Sequence, residues 1–378
     1  AKEGAKAFYS GAIGEAIVRA VREDLKRAVP GAGGAGGAGG GGLTLNAGDL
    51  KGYRPVWVEP LRFEAFGRGF VAMPPPSSGG VAMAQTLGIL ALTDFGTFVK
   101  GDGTSMHPMG VHLTVEAFKH AFADRAEWLG DPAFGEVPLA RLLSGEYLRE
   151  RAARVRQNGT GAPDQYGTRR DGGAGSAPPN DGGTSHLCVV DAEGGAVACT
   201  ETINLSFGSL LAVPEYGFCL NNEMDDFTTR PGKPNAFGLV QSARNAPQKG
   251  KRPLSSMSPT IVLDKEGKVE AVAGASGGPR IITATTQVLM NALVLGFSPG
   301  QAVSRPRFHH QWMPAVLEFE AEYLGRHEGM PTPVWMKKLH HQVEEAKSGA
   351  AVQLIVRGKG GGWEAACDPR KGGAPAGR

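Results

Sequence analysis

Thr184 is the residue whose type and setting most invite chemistry. It follows Gly182-Gly183 and opens the run Thr184-Ser185-His186-Leu187-Cys188-Val189-Val190. A second β-rich run spans Ala196 to Ile203, and Glu193-Gly194-Gly195 lies between the two, so the pair reads as a β-hairpin. The return strand brings Thr200, Thr202 and then Asn204 back beside the first strand, and the acidic stretch Asn221-Asn222-Glu223-Met224-Asp225-Asp226-Phe227 follows. A threonine hydroxyl can be a nucleophile, but a poor one unless a base lies within hydrogen-bond reach. The plain alternative is a strand-starting Thr placed there by β propensity. A flexible Gly-Gly pair before it is an unusual setting for that role.

Further motifs lie in order along the chain. They are Phe207-Gly208, Arg252-Pro253-Leu254-Ser255-Ser256-Met257-Ser258-Pro259-Thr260, Gly277-Gly278-Pro279-Arg280-Ile281, Pro306-Arg307-Phe308-His309-His310-Gln311 and Asp368-Pro369-Arg370. Together with Thr184-Ser185-His186, Thr200-x-Thr202-x-Asn204 and the acidic stretch, they resemble the γ-glutamyltransferase family of N-terminal-nucleophile hydrolases. Each alone is weak; as an ordered set over half the chain they are specific. The resemblance implies an α+β fold, a four-layer αββα sandwich with two central antiparallel sheets. It also implies self-cleavage between Gly183 and Thr184. The freed α-amino group, with an ordinary pKa of about 7.7–8.0, then serves as base to its own hydroxyl. His186 is not required and is assigned to structure.

The same resemblance implies the remaining roles. Thr184 is the nucleophile, Thr202 holds it in position, and Gly277 and Gly278 supply the oxyanion hole. Asn204, Glu223 and Asp226 bind the α-amino end of a γ-glutamyl group, where acidic residues suit an ammonium. Ser255 and Ser256 fix its α-carboxylate. Water as acceptor gives hydrolysis; an amino acid or dipeptide gives transfer. Neither a cofactor nor a metal is expected. Residues 1–183 correspond to the C-terminal part of a large subunit, and 184–378 to the small subunit that pairs with it as a heterodimer, both within one domain. An N-terminal segment of the large subunit is expected ahead of residue 1, carrying strands and the Arg that pairs with the substrate carboxylate. On that reading the 378-residue chain alone has little activity. A periplasmic or extracellular location is suggested by the resemblance only.

The bulk properties exclude several classes. With 40 basic and 37 acidic residues the net charge is +3, and no basic stripe marks a nucleic-acid binder. No apolar run reaches the 18 or so residues of a membrane span. Four cysteines in 378 residues do not make a disulfide scaffold. Cys188 and Cys199 fall on adjacent strands of the hairpin and read as small buried hydrophobes. His309-His310 and His340-His341 invite a metal reading, but adjacent strand residues point to opposite faces and no Cys or carboxylate completes the set.

The elements that must position these residues follow from periodicity. Ile13, Ile17, Val21 and Leu25 mark a helix over 5–29, stopped by Pro30. Gly31 to Gly42 is a flexible insertion; it lacks the strand, Lys-Ser/Thr pair and helix of a phosphate loop. Val56 to Val71 alternates like strands, and the stiff Pro74-Pro75-Pro76 segment precedes an apolar helix from Val81 to Leu92. Val111, Val115, Phe118, Phe122 and Leu129 share one face of an amphipathic helix. Residues 157–183 are a linker by composition, ending at the cleavage point. The loop 230–238 corresponds to a lid in bacterial relatives that commonly carries Tyr where this chain has Phe237, which has no hydroxyl to latch it. Strands are expected within 254–263 and 268–273, and Gly277-Gly278-Pro279 opens a helix from Arg280 to Leu295. A last hairpin turns between Arg357 and Trp363, and Lys371 to Arg378 is a disordered tail.

Two other readings stay open. One is a different amide acylase on the same scaffold, of the cephalosporin type, against which the Glu223–Asp226 pair argues. The other is a catalytically silent family member that serves only as a binding or structural partner.

Overall fold

The hairpin that opens at Thr184 needs a surface to lie on, and a six-stranded antiparallel sheet provides it. In the computed structural model, residues 4–28, 45–99, 105–168, 183–230, 232–323 and 325–377 are described. They form two compact units, one of residues 1–58 with 203–222, the other of residues 59–202 with 223–378. In the larger unit the sheet order is Leu61–Ala65, Arg68–Ala72, Thr260–Leu263, Val269–Ser276, Ala351–Arg357 and Trp363–Cys367, with every neighbour antiparallel. The expected last hairpin is there, with Arg357 opposite Trp363.

The strand Val269–Ser276 is the centre of this unit. Ala271 through Ala275 are all buried, because the strand is covered on both faces. The helix Arg280–Leu293 packs on it from one side, and the hairpin Thr184–Val190 and Ala196–Thr202 packs on it from the other. Helices, sheet and hairpin thus stack as α, β and β layers, in keeping with the expected α+β class. The hairpin's inner face carries His186 and Cys188; the Cys188 thiol reaches the carbonyls of Val272 and Gln353 at 3.5 and 3.6 Å. Its outer face carries Leu187, Val189 and Val197, each about half exposed. Cys199, opposite Leu187, is also on that outer face and exposed, so the expectation that it is buried is corrected. Strand alternation puts Cys188 inward and Cys199 outward.

Gly274 lets the two layers meet. A Cβ there would stand 2.2 Å from His186 Cε1, closer than any packed carbon contact. Gly274→Ala therefore forces the imidazole and the strand that carries it away from the sheet. The expected cost is about 1–3 kcal/mol, as for other overpacked cores, and thermal melting checks it. An unchanged melting temperature would show that the hairpin is not seated on Gly274.

The helix Pro108–Trp128 departs from its expected character. Its apolar stripe is buried as the periodicity requires, but so is the opposite face: His112, Glu116, Lys119, His120 and Asp124 are all at most 4% exposed. Most of their polar atoms are paired internally, His120 Nε2 and Asp124 Oδ1 excepted. Lys119 Nζ donates to Glu116 Oε1 at 2.8 Å and to Thr160 Oγ1, and the Tyr166 hydroxyl donates to Glu116 Oε2 at 2.6 Å. Asp124 accepts from Gln85 Nε2 at 2.9 Å and the Tyr147 hydroxyl at 2.6 Å, while burial pushes its pKa up. Thr160 and Tyr166 come from the segment 157–183, of which 157–168 and 183 are described.

The smaller unit holds the helices Ala5–Tyr9, Ala12–Ala28 and Ala47–Gly52 and the short pair Ala212–Val213 and Phe218–Cys219. Its core joins Ala16, Ile17 and Val213 with Ile13, Leu50 and Phe218. The helix expected over 5–29 is two helices, interrupted at Ser10–Gly11. The glycine insertion 31–42 lies outside the described residues.

Candidate active site

The hairpin register sets Thr184, the first residue of its strand, directly opposite Thr202, the last residue of the other. Thr184 is 4% exposed. Its Oγ1 lies 2.9 Å from Thr202 Oγ1, which lies 3.4 Å from the Gly183 carbonyl oxygen. Each hydroxyl has one proton to give. The two contacts are met together when Thr184 donates to Thr202 and Thr202 donates to Gly183 O. The nucleophile candidate, a proton acceptor for it and the carbonyl of the Gly183–Thr184 peptide thus share one relay. Lys371 Nζ donates to the Thr184 carbonyl, which ties the start of the expected tail to the site.

His186 has no part in that relay. Its Nδ1 lies 2.7 Å from Thr200 Oγ1 and its Nε2 lies 3.2 Å from Cys188 Sγ, and burial pushes its pKa down to about 4. Burial pushes the Cys188 thiol up to about 12, so it is neither a nucleophile nor a base at neutral pH.

Gly277 and Gly278 end the strand that carries the hairpin. Their φ values are +143° and +55°, which side chains rarely adopt. A Cβ on Gly277 would meet Ala350 Cβ at 2.6 Å, and one on Gly278 would meet Phe237 Cδ1 at 2.8 Å. The turn therefore presents backbone where any side chain would collide, ahead of the helix Arg280–Leu293. Phe237 is buried against it. The backbone of Phe237 is fastened on both sides: Gln311 Nε2 donates to Phe237 O at 3.0 Å, and Phe237 N donates to Asn235 Oδ1 at 3.0 Å. Gln311 Oε1 is in turn 2.9 Å from His309 Nε2, whose Nδ1 is 2.8 Å from Thr283 Oγ1.

Asn235 Nδ2 also reaches Asp226 Oδ1 at 3.4 Å, which links this loop to the acidic turn Glu223–Asp226. Asn245, fully buried, ties that turn to the serines: its Nδ2 donates to Asp226 O at 2.6 Å and its Oδ1 accepts from Leu254 N at 3.0 Å. Ser255 pairs with the Pro-rich segment, Ser255 N donating to Pro76 O at 2.9 Å and Ser78 N to Ser255 O at 2.8 Å. Behind them lies Arg125, whose Nε donates to Ser78 Oγ at 2.9 Å and whose Nη2 donates to Ser256 Oγ at 3.3 Å. Asn204 belongs to the smaller unit, where its Nδ2 donates to Asn222 O at 3.2 Å.

Arg125, Asn245 and Lys371 were not among the expected site residues. Arg125 left a trace. It continues the spacing of Val111, Val115, Phe118, Phe122 and Leu129, so a cation stands in the apolar stripe of its helix. Asn245 and Lys371 act through contacts far along the chain that no local pattern reports.

Three of the four paired histidines, His309, His310 and His341, make side-chain hydrogen bonds. His112, Glu116 and His341 bring ligand atoms within 4.8 Å of one another, a set 229 residues apart that spacing could not reveal. His112 Nε2 donates to Arg156 O at 2.6 Å, so its Nδ1 accepts from His341 Nε2 at 2.8 Å, and His341 Nδ1 accepts from Lys119 Nζ at 3.4 Å. Lys119 Nζ, 2.8 Å from Glu116 Oε1, is the cationic partner of the carboxylate in this set.

The gamma-glutamyltranspeptidase family model matches residues 1–378. The chain is 37% identical over 373 residues to a glutathione hydrolase proenzyme of Escherichia coli, covering 98% of this chain and 58% of that protein. It is 40% identical over 395 residues to glutathione hydrolase 2 of Arabidopsis thaliana, covering all of this chain and 62% of the relative. The chain thus spans about three-fifths of the length of these curated relatives. Among solved structures it is similar to a cephalosporin acylase from Bacillus halodurans, with a TM-score of 0.72 at 22% identity over 97% of this chain and 58% of the other. At that identity the likeness speaks to the fold.

Proposed function

The chain belongs to the gamma-glutamyltranspeptidase family, and we propose that it performs γ-glutamyl acyl transfer through an ester on Thr184, after cleaving itself between Gly183 and Thr184. The observation that carries this is the relay Thr184–Thr202–Gly183. In the cleavage, Thr184 Oγ1 attacks the Gly183 carbonyl carbon. As its proton passes to Thr202, the Thr202 proton moves along its own hydrogen bond to Gly183 O, where negative charge is growing, and from there to the leaving nitrogen. The C–N bond then breaks, the α-amine leaves protonated, and water releases Gly183 from the ester. Residues 1–183 and 184–378 become parts of a large and a small subunit.

Once free, the α-amino group of Thr184 is the base for the second reaction. A γ-glutamyl amide, glutathione by the names of the relatives, is attacked at its γ-carbonyl, and the Gly277–Gly278 backbone faces the oxyanion. Asp226 and Glu223 take the α-ammonium; Ser255 and Ser256 take the α-carboxylate. Water or an amino acid or dipeptide resolves the ester. A cephalosporin acylase shares the fold, but a buried Arg125 beside the Asp226 charge suits a zwitterion better.

Thr202→Val tests the relay. The substitution keeps size and β propensity and removes the hydroxyl, so cleavage is expected to slow about 10²- to 10³-fold, as when one oxyanion donor is lost. The rate is read from the appearance of the fragment that begins at Thr184. Cleavage at the wild-type rate would remove Thr202 from the chemistry.

A further inference from the structure

Arg125 is 2% exposed, and its hydrogen bonds are unusual for so buried a cation. They go to two hydroxyls, Ser78 Oγ at 2.9 Å and Ser256 Oγ at 3.3 Å. Burial lowers its pKa to about 10, a shift that the nearby Asp226 charge opposes, so it stays protonated at neutral pH. A guanidinium has donors only. Each hydroxyl it touches must therefore accept from it and turn its own proton elsewhere. For Ser78 the destination is visible: its Oγ donates to Ser255 O at 2.6 Å. For Ser256 the proton is directed away from Arg125, so that hydroxyl is set as a donor, and the residue's carbonyl is held separately by Ser258 Oγ at 2.9 Å.

We propose that Arg125 is the positioning residue of the γ-glutamyl pocket, aiming the Ser256 hydroxyl at the substrate α-carboxylate while its charge faces Asp226, the partner of the α-ammonium. The proposal rests on the γ-glutamyl reading given above. It assigns one buried side chain to orienting both ends of a zwitterion. The Pro108–Trp128 helix makes Arg125 stiff, because its stem runs in the apolar stripe between Phe122 and Leu129. The Pro74–Ser78 segment then serves the pocket too, since Ser78 is the second anchor that fixes the guanidinium plane.

The test is Arg125→Lys, which keeps the charge but has one point of donation and cannot bridge Ser78 and Ser256. Two substrates are compared in the purified protein with the expected N-terminal segment restored: a γ-glutamyl anilide and the same compound with its α-carboxylate converted to a carboxamide. For the carboxylate substrate KM is expected to rise about 10- to 100-fold, the worth of a charge-assisted contact, with kcat within about threefold. For the carboxamide KM is expected to change little, so the preference between the two collapses. Cleavage at Gly183–Thr184 is expected to persist. Combining Arg125→Lys with Ser256→Ala is expected to cost no more than either alone, because both act through one hydroxyl. Equal losses on both substrates, or fully additive losses in the double variant, would overturn the proposal and leave Arg125 a packing residue. If Arg125→Lys does not fold, Ser78→Ala carries the same comparison, since it frees the guanidinium plane; an unchanged preference in that variant would likewise overturn it. With the expected N-terminal segment restored, a wild-type protein that turns over neither substrate counts against the γ-glutamyl reading itself, before Arg125 is in question.

Discussion

Thr184→Ala is expected to remain a single polypeptide of 378 residues, where the unaltered chain is expected to give fragments of 183 and 378 − 183 = 195 residues. The substitution removes the Oγ1 that lies beside Thr202 and one peptide bond from the Gly183 carbonyl. No other group in the relay can attack. Thr202 can accept and return a proton but sits on the opposite strand, His186 is occupied by Thr200 and Cys188, and the Cys188 thiol stays protonated. The fold is expected to survive, because the loss is one hydroxyl contact of about 1 kcal/mol. Turnover of any γ-glutamyl substrate is expected to fall about 10⁶-fold, as when other acyl-transfer enzymes lose their nucleophile. Denaturing gels and N-terminal sequencing give the first result, and steady-state assays the second. Appearance of the two fragments from Thr184→Ala would assign the cleavage to another residue.

Asp226→Ala separates the two reactions. Self-cleavage uses the protein's own Gly183 carbonyl and no substrate ammonium, so it is expected to proceed nearly unchanged. Substrate binding is different. The Asp226 carboxylate is the acidic group beside Arg125, and its backbone is fastened by Asn245 and Gln241. The turn is therefore expected to keep its shape when the side chain is cut back. What is lost is a charge-assisted contact with a desolvated ammonium, at a cost of about 2–5 kcal/mol, or about thirty- to several-thousand-fold in kcat/KM. A fully processed variant with unaltered kcat/KM on a γ-glutamyl anilide would place the ammonium elsewhere.

Much of this site could be read from the chain because its signals are local. A glycine pair before a strand, a hairpin with seven-residue arms, and Gly-Gly-Pro before a helix each announce themselves within a few residues. The resemblance to a family then supplied roles that the local chemistry alone leaves open. What escaped is non-local. Periodicity shows that the Pro108–Trp128 helix has an apolar stripe, but it does not show that Thr160, Tyr166 and His341 cover the other face. Charged residues opposite an apolar stripe look the same whether they meet water or a buried partner. Arg125 was legible as a cation in the wrong place, yet its meaning required Ser78 and Ser256 beside it. Cys199 was misread because hydrophobic type was taken for burial, whereas strand alternation sends it outward. The break at Ser10–Gly11 lies within an otherwise unbroken helical pattern, where only a glycine hints at it.

The account's central claim is that a γ-glutamyl group is carried on the Thr184 hydroxyl. Rapid acid quenching of the processed protein with a γ-glutamyl anilide, followed by mass spectrometry of its digest, tests this directly. The prediction is a peptide beginning at Thr184 that is heavier by one glutamyl residue. The added mass should resist hydroxylamine at neutral pH, which removes a thioester, and be lost to alkaline hydroxylamine, as an oxygen ester on Thr184 would be. Turnover of the substrate with no acylated Thr184 peptide, or with the glutamyl group on a different side chain, would contradict the account.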